Sequence, residues 1–199
     1  MFEVVFKLTT EEQCAIVAAC REIIEKAPLF TKTMPTGAEF RYQCTSAGEY
    51  GWVSDNKGFR YVNRHPITDL AFPDMPDIIR EIAHNAVAHY GLIIEPESAL
   101  INWYDRDGRL GLHQDKTEIS HAPVVSISLG DDCIFLIGGL KRSDAKKEVV
   151  LHSGDVLVMG AEHRLAFHGV KKILSDTGPH ELEISGRINV TIRQVYDVK

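Results

Sequence analysis

The segment His113-Gln114-Asp115 sets an imidazole and a carboxylate two residues apart. On extended backbone such residues project to one face and converge on one point, as two ligands of a metal ion would. Two histidines and one carboxylate on one face of an octahedron form the ligand set of a non-haem iron(II) oxygenase, whose other face stays open for co-substrate and oxygen. An HxD alone is common, and its bland reading is an exposed pair in a turn. Downstream, His152, His163, His168 and His180 all offer a third ligand, and spacing does not choose among them. Strand phase favours His168. In a strand over 164–168, Arg164, Ala166 and His168 share one face, Leu165 and Phe167 share the other, and Gly169 ends the run. His152 abuts a turn and His163 precedes that strand, as suits surface histidines.

A second pattern lies at Arg187-Ile188-Asn189-Val190-Thr191-Ile192-Arg193. Strict alternation puts Arg187, Asn189, Thr191 and Arg193 on one face and Ile188, Val190 and Ile192 on the other. Such a strand is most often half-buried with its polar face in water. Two arginines and an amide are also well suited to gripping a dicarboxylate, because guanidinium matches carboxylate bidentately. In Leu100-Ile101-Asn102-Trp103-Tyr104, Asn102 and Tyr104 share a face just upstream of His113. They supply hydrogen-bonding groups there, although Tyr104 also reads as a core tyrosine.

These residues need a scaffold of short strands. From 96 to 199 the chain shows alternating runs broken by turn residues, with strands expected at 99–104, 110–114, 123–129, 132–137, 148–152, 155–159, 164–168 and 186–194. Eight strands suit a jelly roll. Ser153-Gly154-Asp155 and Gly138-Gly139 read as turns. In the N-terminal extension, 1–95, a short apolar run leads to a helix. Thr9 with Glu12 makes a capping box, Ile16, Val17, Cys20, Ile23 and Ile24 face inward, and Pro28 closes the helix. Residues 34–75 read as short strands and long connections, and a second helix runs from Pro76 to Gly91 with Ile78, Ile79, Ile82, Ala86 and Val87 inward. The 199 residues make one domain of α+β class. A net charge of -6 argues against coating nucleic acid by bulk electrostatics but leaves room for a local basic patch. Cys14, Cys20, Cys44 and Cys133 form no CxxC pair, which suits reduced thiols in the cytoplasm, and no segment is apolar enough to span a membrane.

Asn102-Trp103-Tyr104, Leu112-His113-Gln114-Asp115-Lys116, Val125-Ser126-Ile127-Ser128-Leu129-Gly130, Gly138-Gly139-Leu140-Lys141-Arg142, Ser153-Gly154-Asp155-Val156, Arg164 through His168-Gly169, and Arg187 through Arg193 recur in this order over the second half of the chain. The ordered set resembles the AlkB family of dealkylating dioxygenases, in particular its bacterial DNA-repair members. The resemblance implies a double-stranded β-helix, a cupin-like jelly roll, holding iron(II) through His113, Asp115 and His168. It implies 2-oxoglutarate bound by Asn102, Tyr104, Arg187, Asn189 and Arg193, with O2 as the second co-substrate. Upstream, Gly51-Trp52 and Gly58-Phe59-Arg60-Tyr61 resemble the family's nucleotide-recognition lid. There Trp52 stacks on the damaged base while Phe59, Arg60 and Tyr61 line the approach for the nucleotide and its phosphates. The same comparison puts Arg142 near a phosphate.

The activity implied is oxidative demethylation of N-alkylated bases, 1-methyladenine and 3-methylcytosine. The partner is alkylated DNA, single-stranded by preference, with RNA as a further substrate, and the enzyme is a monomer. Thr117 stands where bacterial relatives commonly have an acidic residue after the HxDK segment, which puts base preference in question. Two alternatives are a hydroxylase of a non-nucleic-acid substrate and a non-catalytic module that binds metal or 2-oxoglutarate. Trp52 and the Gly58–Tyr61 segment speak against the first, and the intact HxD, His168 and arginine pair against the second.

Overall fold

Thr9 starts the first helix as the capping box requires. Its hydroxyl accepts from the Glu12 amide at 3.2 Å, and the Glu12 carboxylate accepts from the Thr9 amide at 2.7 Å. The computed structural model describes residues 1–197. Ahead of that helix, α1 (Thr10–Lys26), lies β1 (Phe2–Lys7). After it come β2 (Phe30–Thr33), β3 (Glu39–Gly48), β4 (Gly51–Asp55), β5 (Gly58–Val62) and α2 (Asp77–Ala88). The second half supplies eight strands: β6 (Ser98–Tyr104), β7 (Leu110–His113), β8 (Val124–Gly130), β9 (Asp132–Ile137), β10 (Lys147–Leu151), β11 (Asp155–Met159), β12 (His168–Leu174) and β13 (Arg187–Arg193).

A major sheet in the order β1-β11-β8-β13-β6-β3-β2 lies against a minor sheet in the order β10-β9-β12-β7, and β4-β5 forms a separate hairpin. Pairing is antiparallel throughout both sheets. This is the expected jelly-roll core. Alternation along each strand divides the major sheet's two faces. Ile101, Ile127, Val158, Ile188, Val190 and Ile192 pack with Ile16, Val17, Ile79 and Ile82 of the helices. On the face toward the minor sheet, Leu100, Tyr104, Val124 and Leu157 pack with Cys133, Phe135 and Ile173.

Three expectations change. The short apolar run at the N-terminus is a strand, β1, which pairs with β11 at one edge of the major sheet. Within 34–75 the chain does not make only short strands: β3 is ten residues long and continues the major sheet beyond β6. Mixed polar content hid it, because its burial depends on neighbours far away in sequence. The strand expected at 164–168 is also displaced. Residues 161–163 form a single 3-10 turn and β12 begins at His168. Arg164, Ala166 and His168 are nonetheless buried while Leu165 is 37% exposed, so the alternation read from sequence is real without being a strand.

Gly186 ends the connection into β13 at φ +83°, and a Cβ there would lie 2.3 Å from the Tyr104 carbonyl oxygen. Only glycine fits that left-handed position beside the β6–β13 pair. Gly186→Ala is expected to cost more than about 1 kcal/mol in urea denaturation, because both the backbone conformation and the close approach are lost.

Candidate active site

The minor sheet brings the predicted ligands together. His168 opens β12 and pairs with His113 at the end of β7, so strand register alone sets the two imidazoles side by side. Their ring centroids are 4.3 Å apart. Asp115 lies just past β7, with Oδ1 3.5 Å from His113 Nε2 and 3.9 Å from His168 Nε2. The three ligand atoms lie within 4.8 Å of one another. His113 Nδ1 donates to the Gly111 carbonyl at 2.9 Å, and His168 Nδ1 donates to the Ala166 carbonyl at 3.0 Å. Each bond fixes the tautomer that leaves a lone pair on Nε2. Burial pushes the His168 imidazole down to about 4, with His113 adding to the effect, so it is neutral at physiological pH. Burial alone would raise the Asp115 carboxyl. Arg193 and the two histidines outweigh that and hold it well below the usual range. Two neutral imidazoles and a carboxylate suit iron(II). His152 and His163 are exposed, as expected of surface histidines, and so is His180.

Beside the triad a cavity of about 650 Å³ opens between the sheets. All seven residues of β13 are buried, so its polar face does not meet bulk water: Arg187, Asn189, Thr191 and Arg193 line this cavity with Asn102 and Tyr104 of β6. Arg187 is 1% exposed. Its Nη2 donates to Ser128 Oγ at 2.9 Å, while among the described residues Nε and Nη1 have no partner. Arg193 Nη2 donates to Asp115 Oδ2 at 2.8 Å, and Nη1 is free. Its Nε lies 3.3 Å from Glu118 Oε1 as an ion pair that lacks hydrogen-bond alignment. Asn102 Oδ1 is unpartnered as well. A buried donor without a partner is costly, and four guanidinium atoms in one cavity call for an anion. A small dicarboxylate fits that demand. Ser126 and Ser128, which the sequence placed in a shared motif without a role at the site, hold Asn189 and Arg187 in place.

The model of the 2OG-Fe(II) oxygenase superfamily matches residues 4–193. An alpha-ketoglutarate-dependent dioxygenase AlkB homolog of Caulobacter vibrioides is 38% identical over 192 residues, covering 94% of this chain and 84% of its own length. The chain belongs to the AlkB family. A mouse relative named nucleic acid dioxygenase ALKBH1 is 32% identical over 182 residues, with 88% of this chain and 44% of its own length covered. The solved structure of OsALKBH1 superposes with a TM-score of 0.83 at 31% identity, covering 94% of each chain. As a member of the AlkB family the protein is a dioxygenase that uses iron(II), 2-oxoglutarate and O2.

The segment that resembles the AlkB family's lid forms the hairpin β4-β5, with Trp52 opposite Tyr61. Trp52, Phe59, Thr117 and Arg142 line the cavity, whereas Arg60 and Tyr61 do not. Trp52 Nε1 donates to Thr117 Oγ1 at 3.3 Å, and Phe59 stacks on Trp52 at 5.6 Å with planes 11° apart. Arg60 is held in a bidentate pair with Asp55 at 2.7 Å. Tyr61 donates its phenol to Glu118 Oε1. Arg142 donates to the Leu112 carbonyl at 2.9 Å and lies 5.8 Å from the Phe167 ring centre. Lys32, which no sequence pattern picked out, is buried with its ammonium 4.2 Å from the centre of the Trp52 ring. A cation at that distance attracts the ring face and holds the indole in place.

Glu118 and Arg164 were also missed as a pair, since neither touches the metal-ligand atoms. Arg164 reaches Glu118 Oε2 at 3.2 Å and donates to the Asp115 carbonyl at 2.7 Å. With Arg193 bridging Asp115 and Glu118, two carboxylates and two guanidiniums form a buried, balanced cluster. Glu118→Gln keeps the shape and removes one charge. It is expected to cost about 3 kcal/mol in urea denaturation, because a buried pair is broken on one side. Tyr61→Phe, which removes a phenol that donates to a buried carboxylate, is expected to cost about 2 kcal/mol.

Proposed function

We propose that this protein repairs DNA by oxidative demethylation of N-alkylated bases, among them 1-methyladenine and 3-methylcytosine. The observation that carries the reading is the coincidence, in one cavity, of the His113, Asp115 and His168 triad with the partnerless guanidinium atoms of Arg187 and Arg193. In this reading the triad holds iron(II). Arg187 and Arg193 neutralise the carboxylates of 2-oxoglutarate, while Asn102, Tyr104 and Asn189 supply further hydrogen-bonding groups. Iron(II), 2-oxoglutarate and O2, when bound there together, would supply the oxidising power that hydroxylates the N-alkyl carbon, with release of succinate, carbon dioxide and formaldehyde.

Nucleic acid as substrate is supported by the name of the ALKBH1 relative and by the aromatic residues at the cavity mouth. A base drawn out of its stack is accepted best where an aromatic face replaces the stacking it loses. Trp52 and Phe59 provide that face, and Thr117 faces the base edge. A base already unpaired reaches the cavity without the cost of opening a duplex, which favours single-stranded DNA and admits RNA. The hydroxyl of Thr117 both donates and accepts, so base choice at that point is less restricted than with a carboxylate. Arg142 would contact a phosphate. Arg60 and Tyr61, already engaged with Asp55 and Glu118, act in this reading by fixing the hairpin. Four free cysteines suit a reducing cytoplasm, and among the described residues no helix is long and apolar enough to cross a membrane.

Purified protein loaded with iron(II), 2-oxoglutarate and ascorbate is expected to demethylate a single-stranded oligonucleotide carrying 1-methyladenine, measured by mass spectrometry of the product. His168→Ala is expected to abolish turnover, whereas His152→Ala and His163→Ala leave it intact. An enzyme that consumes 2-oxoglutarate with another substrate but leaves methylated oligonucleotides untouched would remove the repair assignment. A dead His163→Ala variant with an active His168→Ala would overturn the ligand set.

A further inference from the structure

The cations at the cavity mouth are not equally available. Arg60 is neutralised by Asp55, whose carboxyl is pushed down to about 2, chiefly by that pair's hydrogen bonds. Arg142 spends one nitrogen on the Leu112 carbonyl. Arg41 and Arg109 stand apart. Both line the mouth and both are exposed. Among the described residues neither side chain has an ion pair or hydrogen bond, and Glu39, two positions before Arg41 in β3, pairs with neither. The two arginines face each other across an isolated antiparallel bridge, with the Arg109 amide donating to the Arg41 carbonyl at 3.3 Å. Residues directly opposite in such a bridge send their side chains to the same side, and like charges placed so repel. An adjacent pair of unpartnered arginines is an arrangement that an anion would relieve.

Their position suggests which anion. Arg109 immediately precedes β7, and Arg142 is anchored at Leu112 near the other end of that strand. Three residues of extended chain separate these points by roughly 10 Å. Between them lies Gly111, where a Cβ would meet nothing within 4 Å, so no side chain blocks the path. Two cationic stations therefore flank an open stretch of backbone at the rim of the cavity.

We propose that Arg41 and Arg109 form a phosphodiester-binding station, which holds the polynucleotide backbone on one side of the entering nucleotide while Arg142 holds it on the other. This rests on the nucleic-acid reading above and adds a site to it. Phosphate contacts carry position and affinity without base information. In a protein of net charge -6, a local station of this kind supplies attraction that the molecule as a whole does not.

The test measures binding of fluorescent single-stranded oligonucleotides carrying 1-methyladenine, as DNA and as RNA, over a range of salt concentrations. Wild type is compared with the double variants Arg41→Ala/Arg109→Ala and Arg41→Lys/Arg109→Lys. Losing two phosphate contacts should flatten the slope of log K against log salt by about 1.4. The alanine pair should show that flattening and weaker binding, with the lysine pair restoring most of the slope. Affinity for 2-oxoglutarate and the melting temperature should stay unchanged, since both residues are exposed. A drop with only one of the two polymers also supports the station and names its ligand. An unchanged slope in the alanine pair, with wild type binding normally, overturns the station while leaving the functional reading standing. Wild type that binds neither polymer overturns both.

Discussion

The buried ion cluster of Asp115, Arg193, Glu118 and Arg164 is the constraint on which the rest of the site depends. Bringing four charged side chains out of water costs several kcal/mol per ion, and only close, mutual pairing offsets it. Pairing here is close, at 2.8 to 3.3 Å, and the charges balance. The cluster therefore tolerates little displacement of any member. Its consequence for chemistry is direct: the carboxylate in the cluster is a proposed metal ligand, and one guanidinium in it is a proposed co-substrate ligand. Iron(II) and the dianion of 2-oxoglutarate carry opposite and equal charges, so loading both leaves the net charge of the surroundings as it was. Loading the metal alone would add positive charge near buried Arg187, which has no carboxylate partner among the described residues, and the dianion offsets both. The protein architecture thus favours joint occupancy.

The major sheet makes that arrangement possible by separating two jobs along single strands. In β13, Ile188, Val190 and Ile192 face the helices and stabilise the fold, while the alternate residues carry polar groups into the cavity. Neighbouring strands complete the polar face. β6 contributes Asn102 and Tyr104, and β8 contributes Ser126 and Ser128, which steady Asn189 and Arg187. A side chain so held loses little conformational freedom when it meets a ligand, which is what preorganisation means in physical terms. The helices on the far face supply the packing that keeps this strand from shifting, although they are remote from the chemistry.

Much of this was legible in the sequence because it is periodic. The alternation at 187–193, the capping box at Thr9 and seven of the eight strands beyond residue 96 follow from local pattern. What was not legible depends on contacts distant in sequence. β3 carries no clear alternation, yet it is fixed by pairing with β6. Lys32 and Glu118 look like ordinary charged residues until folding places one against Trp52 and the other between two arginines. His168 is instructive in a different way. The phase argument assumed a strand over 164–168, whereas His168 begins β12 and is set opposite His113 by register across the sheet. His168 thus comes beside His113 by a route other than the strand expected for it, and alternating burial outlasts the secondary structure it is taken to signal.

The substrate-facing side is built on different terms from the metal side. The triad and the proposed co-substrate residues sit on or beside paired strands of the two sheets, but Trp52 belongs to a hairpin that forms its own two-stranded sheet. Side chains provide its named polar ties to the body: Trp52 to Thr117, Tyr61 to Glu118, Ser54 to the Thr33 carbonyl, and Lys32 to the Trp52 carbonyl at 3.4 Å. Each is worth about 1 to 2 kcal/mol, far less than a strand of backbone pairing. A substitution at Thr117 or Lys32 can therefore re-aim the aromatic platform while leaving the metal triad and the arginine pair where they are. Under the proposed function, base preference is free to vary within such a scaffold, because the residues assigned to the base carry little of the fold. The exception is Glu118, which ties the hairpin to Arg193 and so makes the position of the platform answerable to the charge state of the cavity.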